Sequence, residues 1–126
     1  MNEATKLSTQ NFKDLLVWQK GMILARMIYQ ITREFPGDER FGLVVQMRRA
    51  AVSIPSNIAE GQARHTTGEF VQFISHAEGS LAEVETQLRL SIELTFCSPS
   101  EATPMLELME ELHKMLNALR RRLVAR

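Results

Sequence analysis

Phe70, Phe73, Ala77, Leu81, Val84, Leu88 and Ile92 recur every three or four residues across positions 70–92. A strand turns its side chains over at every second residue, so it cannot use that spacing; an α-helix puts all seven on one face. "TTGEF" opens the seam. Thr66 with Glu69 three residues on is a capping box, which fixes where the helix starts.

Three more segments share the period. In "FKDLLVWQKGMILARMIYQITREF", Leu15, Trp18, Met22, Ala25 and Tyr29 form one stripe. Leu16, Ile23 and Met27 form a second, and Leu24, Ile28 and Ile31 a third. Little of the circumference is left polar, chiefly Arg26, Gln30 and Arg33, and a helix this apolar is buried on more than one face. A partner subunit is the simplest cover for the extra face. Pro36 and Gly37 in "FPGDER" predict its end. A second helix is predicted from about residue 39 to 64, with Leu43, Met47, Ala50, Ile54 and Ile58 inward. The fourth follows Cys97. Ser98, Pro99 and Glu101 offer a capping box, and Thr103 before Pro104 offers a competing start. Met105, Leu108, Leu112, Met115, Leu119 and Leu123 form its predicted seam.

Strand signals are poor, since aromatic residues are only 6% and no Asn-Gly or Asp-Gly hairpin separates alternating runs. The expected fold is all-α: an up-down-up-down antiparallel four-helix bundle, with the second helix kinked at Pro55. Residues 1–11 read as a disordered or loosely ordered lead-in and 12–126 as a single domain. The N-terminus has no apolar core, so no signal peptide is expected. No apolar run approaches the ~20 residues of a membrane span. The lone Cys97 cannot form an intramolecular disulfide, which favours a reducing compartment. A cytoplasmic protein with no membrane contact is expected.

Catalytic constellations are sparse. A di-iron bundle needs two Glu-x-x-His motifs and two further glutamates. Glu110 with His113 supplies one motif, while His65 and His76 have no glutamate three residues before them. Cys97 has no local histidine to activate it. No glycine-rich phosphate loop is present. The expectation is no enzyme, no catalytic residue, no metal and no cofactor.

Formal net charge is zero, so no global field draws nucleic acid. The charge is unevenly divided: residues 1–65 hold nine Lys/Arg against six Asp/Glu, net +3, and residues 66–126 hold six against nine, net −3. Basic groups cluster at Arg48–Arg49, at Arg64 and at Arg120, Arg121 and Arg122. They are the candidate phosphate contacts. The last three also suit the negative end of a helix dipole.

"SIPSNIAEG", residues 53–61, places a proline and several small polar groups inside the second helix. Arg49, Ser53, Ser56, Asn57, Glu60 and Arg64 follow one another at steps of one, three or four. That spacing describes a single helical face opposite Met47, Ala50, Ile54 and Ile58. One reading carries the helix through Pro55, leaving the Ala51 carbonyl without its helical partner. Another restarts it, with Asn57 as N-cap and Glu60 at the third position. In both, Ser53, Pro55, Ser56, Asn57, Glu60 and Gly61 are structural or interface residues. Small side chains permit close approach, and Glu60 suits a hydrogen bond across a subunit boundary.

With Phe12–Lys20 ("FKDLLVWQK"), Phe35-Pro36, Phe41–Gly61 and Glu69–Leu88, this stretch resembles the four-helix-bundle proteins of the 23S rRNA intervening-sequence family. The resemblance runs from Phe12 to about Leu123. It implies a bundle that assembles as a ring-like homopentamer, with no catalytic residues. It also implies that Gly79-Ser80 form a close helix contact. A related branch, the accessory variability proteins of diversity-generating retroelements, binds a reverse transcriptase and nucleic acid through a basic surface. This neutral chain departs from that branch. The functional expectation is a non-enzymatic, homo-oligomeric accessory or scaffold protein associated with RNA or RNP. Its alternative is an adaptor for a reverse transcriptase or other partner without direct nucleic-acid binding.

Overall fold

In the computed structural model, which describes residues 11–125, contacts between helices run in opposite order along each neighbouring pair. The helices are α1 (Leu16–Thr32), α2 (Leu43–Gln62), α3 (Thr67–Glu93) and α4 (Pro99–Val124). On α2 and α3, Met47 meets Ser91, Ser53 meets Ser80, and Gly61 meets Phe70 and Phe73. On α3 and α4, Glu85 meets His113 and Glu78 meets Arg120. On α1 and α2, Gly21 abuts Ile54 and Pro55, while Tyr29 and Thr32 meet Arg48. A Lys20–Glu111 ion pair of 2.6 Å joins α1 to α4. Rising numbers on one helix against falling numbers on the next define an up-down-up-down antiparallel four-helix bundle, and no strand occurs among the described residues. Residues 1–10 of the predicted lead-in lie outside the described residues.

Local chemistry sets the helix ends. A 3₁₀ turn at Phe12–Asp14 comes before α1, capped by Asn11 Oδ1, which accepts the Lys13 N–H at 2.9 Å. α1 therefore starts at Leu16, later than the apolar run, and it ends at Thr32, short of the proline. The Thr66 hydroxyl accepts the Glu69 N–H at 3.1 Å and donates to the Glu69 carboxylate, so the capping box there is only half reciprocal. The box at Ser98 is complete: Ser98 Oγ accepts from Glu101 N–H, and Glu101 Oε1 accepts from Ser98 N–H. The competing start at Thr103 is not used. Thr103 lies inside the helix and donates to the Pro99 carbonyl. α3 ends with Thr95 at φ 62°; Phe96 N–H reaches back to Ser91 and Thr95 N–H to Ile92, the paired bonds of a Schellman stop.

The Ser98 backbone and hydroxyl hold the Glu101 carboxyl below the usual carboxylate range. A carboxyl lowered by folding stabilises the fold above its unfolded pKa, and that stabilisation disappears as pH falls through the lower folded value. Glu101→Ala is therefore expected to melt below the wild type at neutral pH, with the gap closing once pH drops beneath the ordinary carboxylate range. A gap that persists undiminished in acid would contradict this role.

The core lies between all four helices. α3 contributes Phe70, Ile74, Ala77, Leu81, Val84, Leu88 and Ser91, with Phe73 and Ile92 only half-buried at its margins. α4 contributes Ala102, Met105, Met109, Leu112, Leu116, Leu119 and Leu123. Leu108 and Met115, predicted on that seam, are displaced to the flank. α1 buries Val17, Gly21, Leu24, Ala25, Ile28 and Thr32. Its Met22, Ile23 and Tyr29 are left outside.

Candidate functional site: the α1–α2 face and the basic end

α2 is one uninterrupted helix across Pro55, so the restart at Asn57 does not occur. Asn57 does not cap. Its side-chain amide donates to the Ser53 carbonyl at 2.7 Å, a bond made along the same helix. The Ser53 hydroxyl donates to the Ser80 hydroxyl on α3. Pro55 is buried, with its ring packed at Gly21 of α1. Its missing N–H withholds the helical donor from the Ala51 carbonyl, while its ring packs at the crossing with α1. Ser53 and Asn57 form the hydrogen-bonding side that the spacing predicts. Ser56 and Glu60 are exposed, and neither has a hydrogen-bond or ion-pair partner among the described residues. Gly61 is the tightest point of the stretch, because a Cβ there would lie 2.7 Å from Phe73 Cβ.

Two adjoining grooves run along the outside of α1 and α2. Trp18, Met22, Ala25 and Arg26 line one, with Pro55 and Ala59 opposite. Val45, Arg48, Arg49, Ser53, Asn57 and Glu60 line the other. Tyr29, Val52 and Ser56 belong to both. Met22, Tyr29 and Val52 are 44%, 40% and 41% exposed. The face is thus apolar along its centre and has arginines at its edges. The sequence places the excess apolar surface on α1 alone; the structure extends it across α2.

The candidate arginines do not form one patch. Arg48 Nε donates to Thr32 Oγ1 at 3.0 Å, its Nη2 donates to the Tyr29 carbonyl at 3.3 Å, and its guanidinium stacks 4.5 Å from the Tyr29 ring centre. It ties the last turn of α1 to α2, which leaves little of it for a phosphate. Arg120 is likewise engaged, with Glu78 at 2.8 Å and Asn117 at 2.7 Å. Arg64, Arg121 and Arg122 are exposed at the end of the bundle where α2 and α4 finish. Arg48 and Arg49 sit roughly 20 Å up the bundle from them, given the 1.5 Å rise per residue. At the basic end, Arg64 stacks 4.7 Å from the Phe73 ring centre, and His76 meets the Phe73 ring edge-on, 6.0 Å between ring centres.

Cys97 is buried, and burial followed by the Glu101 charge pushes its thiol pKa up, away from the reactive thiolate. His113 Nε2 lies 3.3 Å from Glu85, while Glu110 pairs with Lys114. Among the described residues no three His, Cys, Asp or Glu side chains come together as a metal ion requires. No described helix is long and apolar enough to cross a membrane. The Gly79-Ser80 expectation needs correction. Ser80 makes the contact with α2, but Gly79 is exposed, with nothing within 4 Å of where its Cβ would lie.

Fold and surface together define a four-helix-bundle protein with two open grooves along the outer face of its first two helices. The chain belongs to the 23S rRNA-intervening sequence protein family, whose model matches residues 13–118. It is similar in structure to a Bacteroides thetaiotaomicron protein of unknown function from the S23 ribosomal protein family. That likeness has a TM-score of 0.75 and 21% identity, and it covers 83% of this chain and 98% of the other. No curated protein matches the chain. Neither the family nor the neighbour points to an enzymatic activity.

Proposed function

We propose that the protein is a non-enzymatic, self-assembling bundle that acts in the cytoplasm as an accessory or scaffold for structured RNA or an RNP. The observation that carries the reading is the exposed apolar centre of the α1–α2 face, Met22, Tyr29 and Val52. Contiguous apolar surface of this kind, rimmed by polar groups, marks a protein interaction site. The ring-like homopentamer implied by the family resemblance would use such a contact. The RNA part draws on the family's description and on the basic end, where Arg64, Arg121 and the Phe73–His76 pair offer charge beside stacking surface. Repetition of that end around an assembly would give a basic belt that one neutral chain lacks.

Two measurements test the reading. Val52→Glu is expected to split the assembly while leaving the helices intact, because the substituted side chain is exposed in the single chain. Affinity for a structured RNA is expected to fall steeply as salt rises, and Arg64→Ala with Arg121→Ala to reduce the salt slope by about 2. Absence of binding at low salt would rule out the RNA role. A protein partner retained after nuclease treatment would point to the adaptor role instead.

A further inference from the structure

Self-assembly through the α1–α2 face requires a complementary surface on the neighbouring copy, and the uneven charge of the chain identifies one. We infer that the outward face of α3 in a second copy of this chain seats on the α1–α2 face, an inference that rests on the self-assembly reading above. Arg26 and Arg49 stand exposed at the edges of the α1–α2 grooves, and neither has an ion-pair partner among the described residues. The outward face of α3 carries the opposite sign. Glu83 and Glu93 are exposed there without an ion pair, Glu83 accepting only from the Gln87 amide at 3.3 Å.

The apolar surface matches as well. Leu90 on α3 and Leu94 at its C-cap are 43% and 47% exposed, close to the values for Met22 and Val52 on the other face. Gly79, Glu83, Leu90 and Leu94 are spaced by helical intervals that keep them on one side of α3. Gly79 completes the match. A glycine in a helix interior is less stable than alanine, and among the described residues nothing needs the space it leaves. It leaves the α3 backbone open to the approach of a neighbour. The two faces are different surfaces, so the contact is head-to-tail. Such contacts close into a ring or continue as a filament according to the rotation between copies.

The test uses two full-length variants. Arg26→Glu/Arg49→Glu reverses the α1–α2 face, and Glu83→Arg/Glu93→Arg reverses the α3 face. Each alone is expected to sediment at the monomer mass of 14.4 kDa under conditions where the wild type assembles. Mixed together, they are expected to associate again, since the unaltered face of each then meets a complementary partner. Wild-type assembly by either variant, or a mixture that remains monomeric while both are folded by circular dichroism, would overturn the inference. Gly79→Gln provides a second test free of charge effects. It has open space in the single chain, so helix content should be kept while the dissociation constant rises at least tenfold. Glu107→Arg on the outside of α4 should leave assembly unchanged. A wild type that is itself monomeric would refute the assembly reading. A wild type that assembles while Gly79→Gln assembles equally well would overturn the α3 contact alone.

Discussion

Truncating Ile54 to alanine is expected to lower the free energy of unfolding by about 2–5 kcal/mol. Ile54 is fully buried at the centre of α2, and its Cγ2 lies 3.5 Å from the position a Cβ on Gly21 would occupy. Removing its outer carbons forfeits their transfer from water and leaves a void between α1 and α2 that two packed helices can close only in part. Val52→Ala, two residues away, is the control. Its side chain is 41% exposed, so in the dissociated chain the loss should stay within about 0.5 kcal/mol. Urea unfolding at low protein concentration separates the two. Equal losses would show that Ile54 is not the core side of the proline-containing stretch.

Gly61→Ala is expected to destabilise the bundle as well, although alanine is the better helix former. The gain in helix propensity is about 1 kcal/mol. Against it, the added Cβ would stand 2.7 Å from Phe73 Cβ, 3.0 Å from Phe70 Cδ1 and 3.4 Å from the Phe70 carbonyl oxygen. The Phe73 Cβ is fixed to the α3 backbone, so relief comes only from moving α2 away from α3. Overpacking of this kind costs about 1–3 kcal/mol. The net effect expected is a lower urea midpoint with an unchanged m-value. A midpoint at or above that of the wild type would mean that the crossing at Gly61 is looser than described.

Both predictions fall in "SIPSNIAEG", where most of the structure was legible from spacing. The 3–4 intervals put Ser53 and Asn57 on one side and Ile54 and Ile58 on the other, and the helix carries them so. The caps at Thr66 and Ser98 were legible because each is a short-range exchange of hydrogen bonds. The α4 register was less so. Apolar residues occur at both 108–109 and 115–116, so two seams one residue apart fit the pattern equally. Only the direction of α1 and α3 selects Met109 and Leu116. On α1, the hydrophobic period passes over Gly21 because glycine carries no apolar side chain; its importance comes from the Pro55 ring against it.

The surface was hardest to read. Arg48 looked like a phosphate contact beside Arg49, yet its partners Thr32 and Tyr29 lie 16 and 19 residues away and no local pattern announces them. Glu60 shares the helical face of Ser53 and Asn57 but is exposed and finds no partner among the described residues. Neighbouring charges in sequence say little about which of them a tertiary fold will neutralise.

Light scattering of the wild-type protein in solution tests the central claim most directly. A bundle that covers Met22, Tyr29 and Val52 with another copy is expected to give a mass several times that of one chain, falling toward the chain mass on dilution or in Val52→Glu. A concentration-independent mass of 14.4 kDa would contradict it.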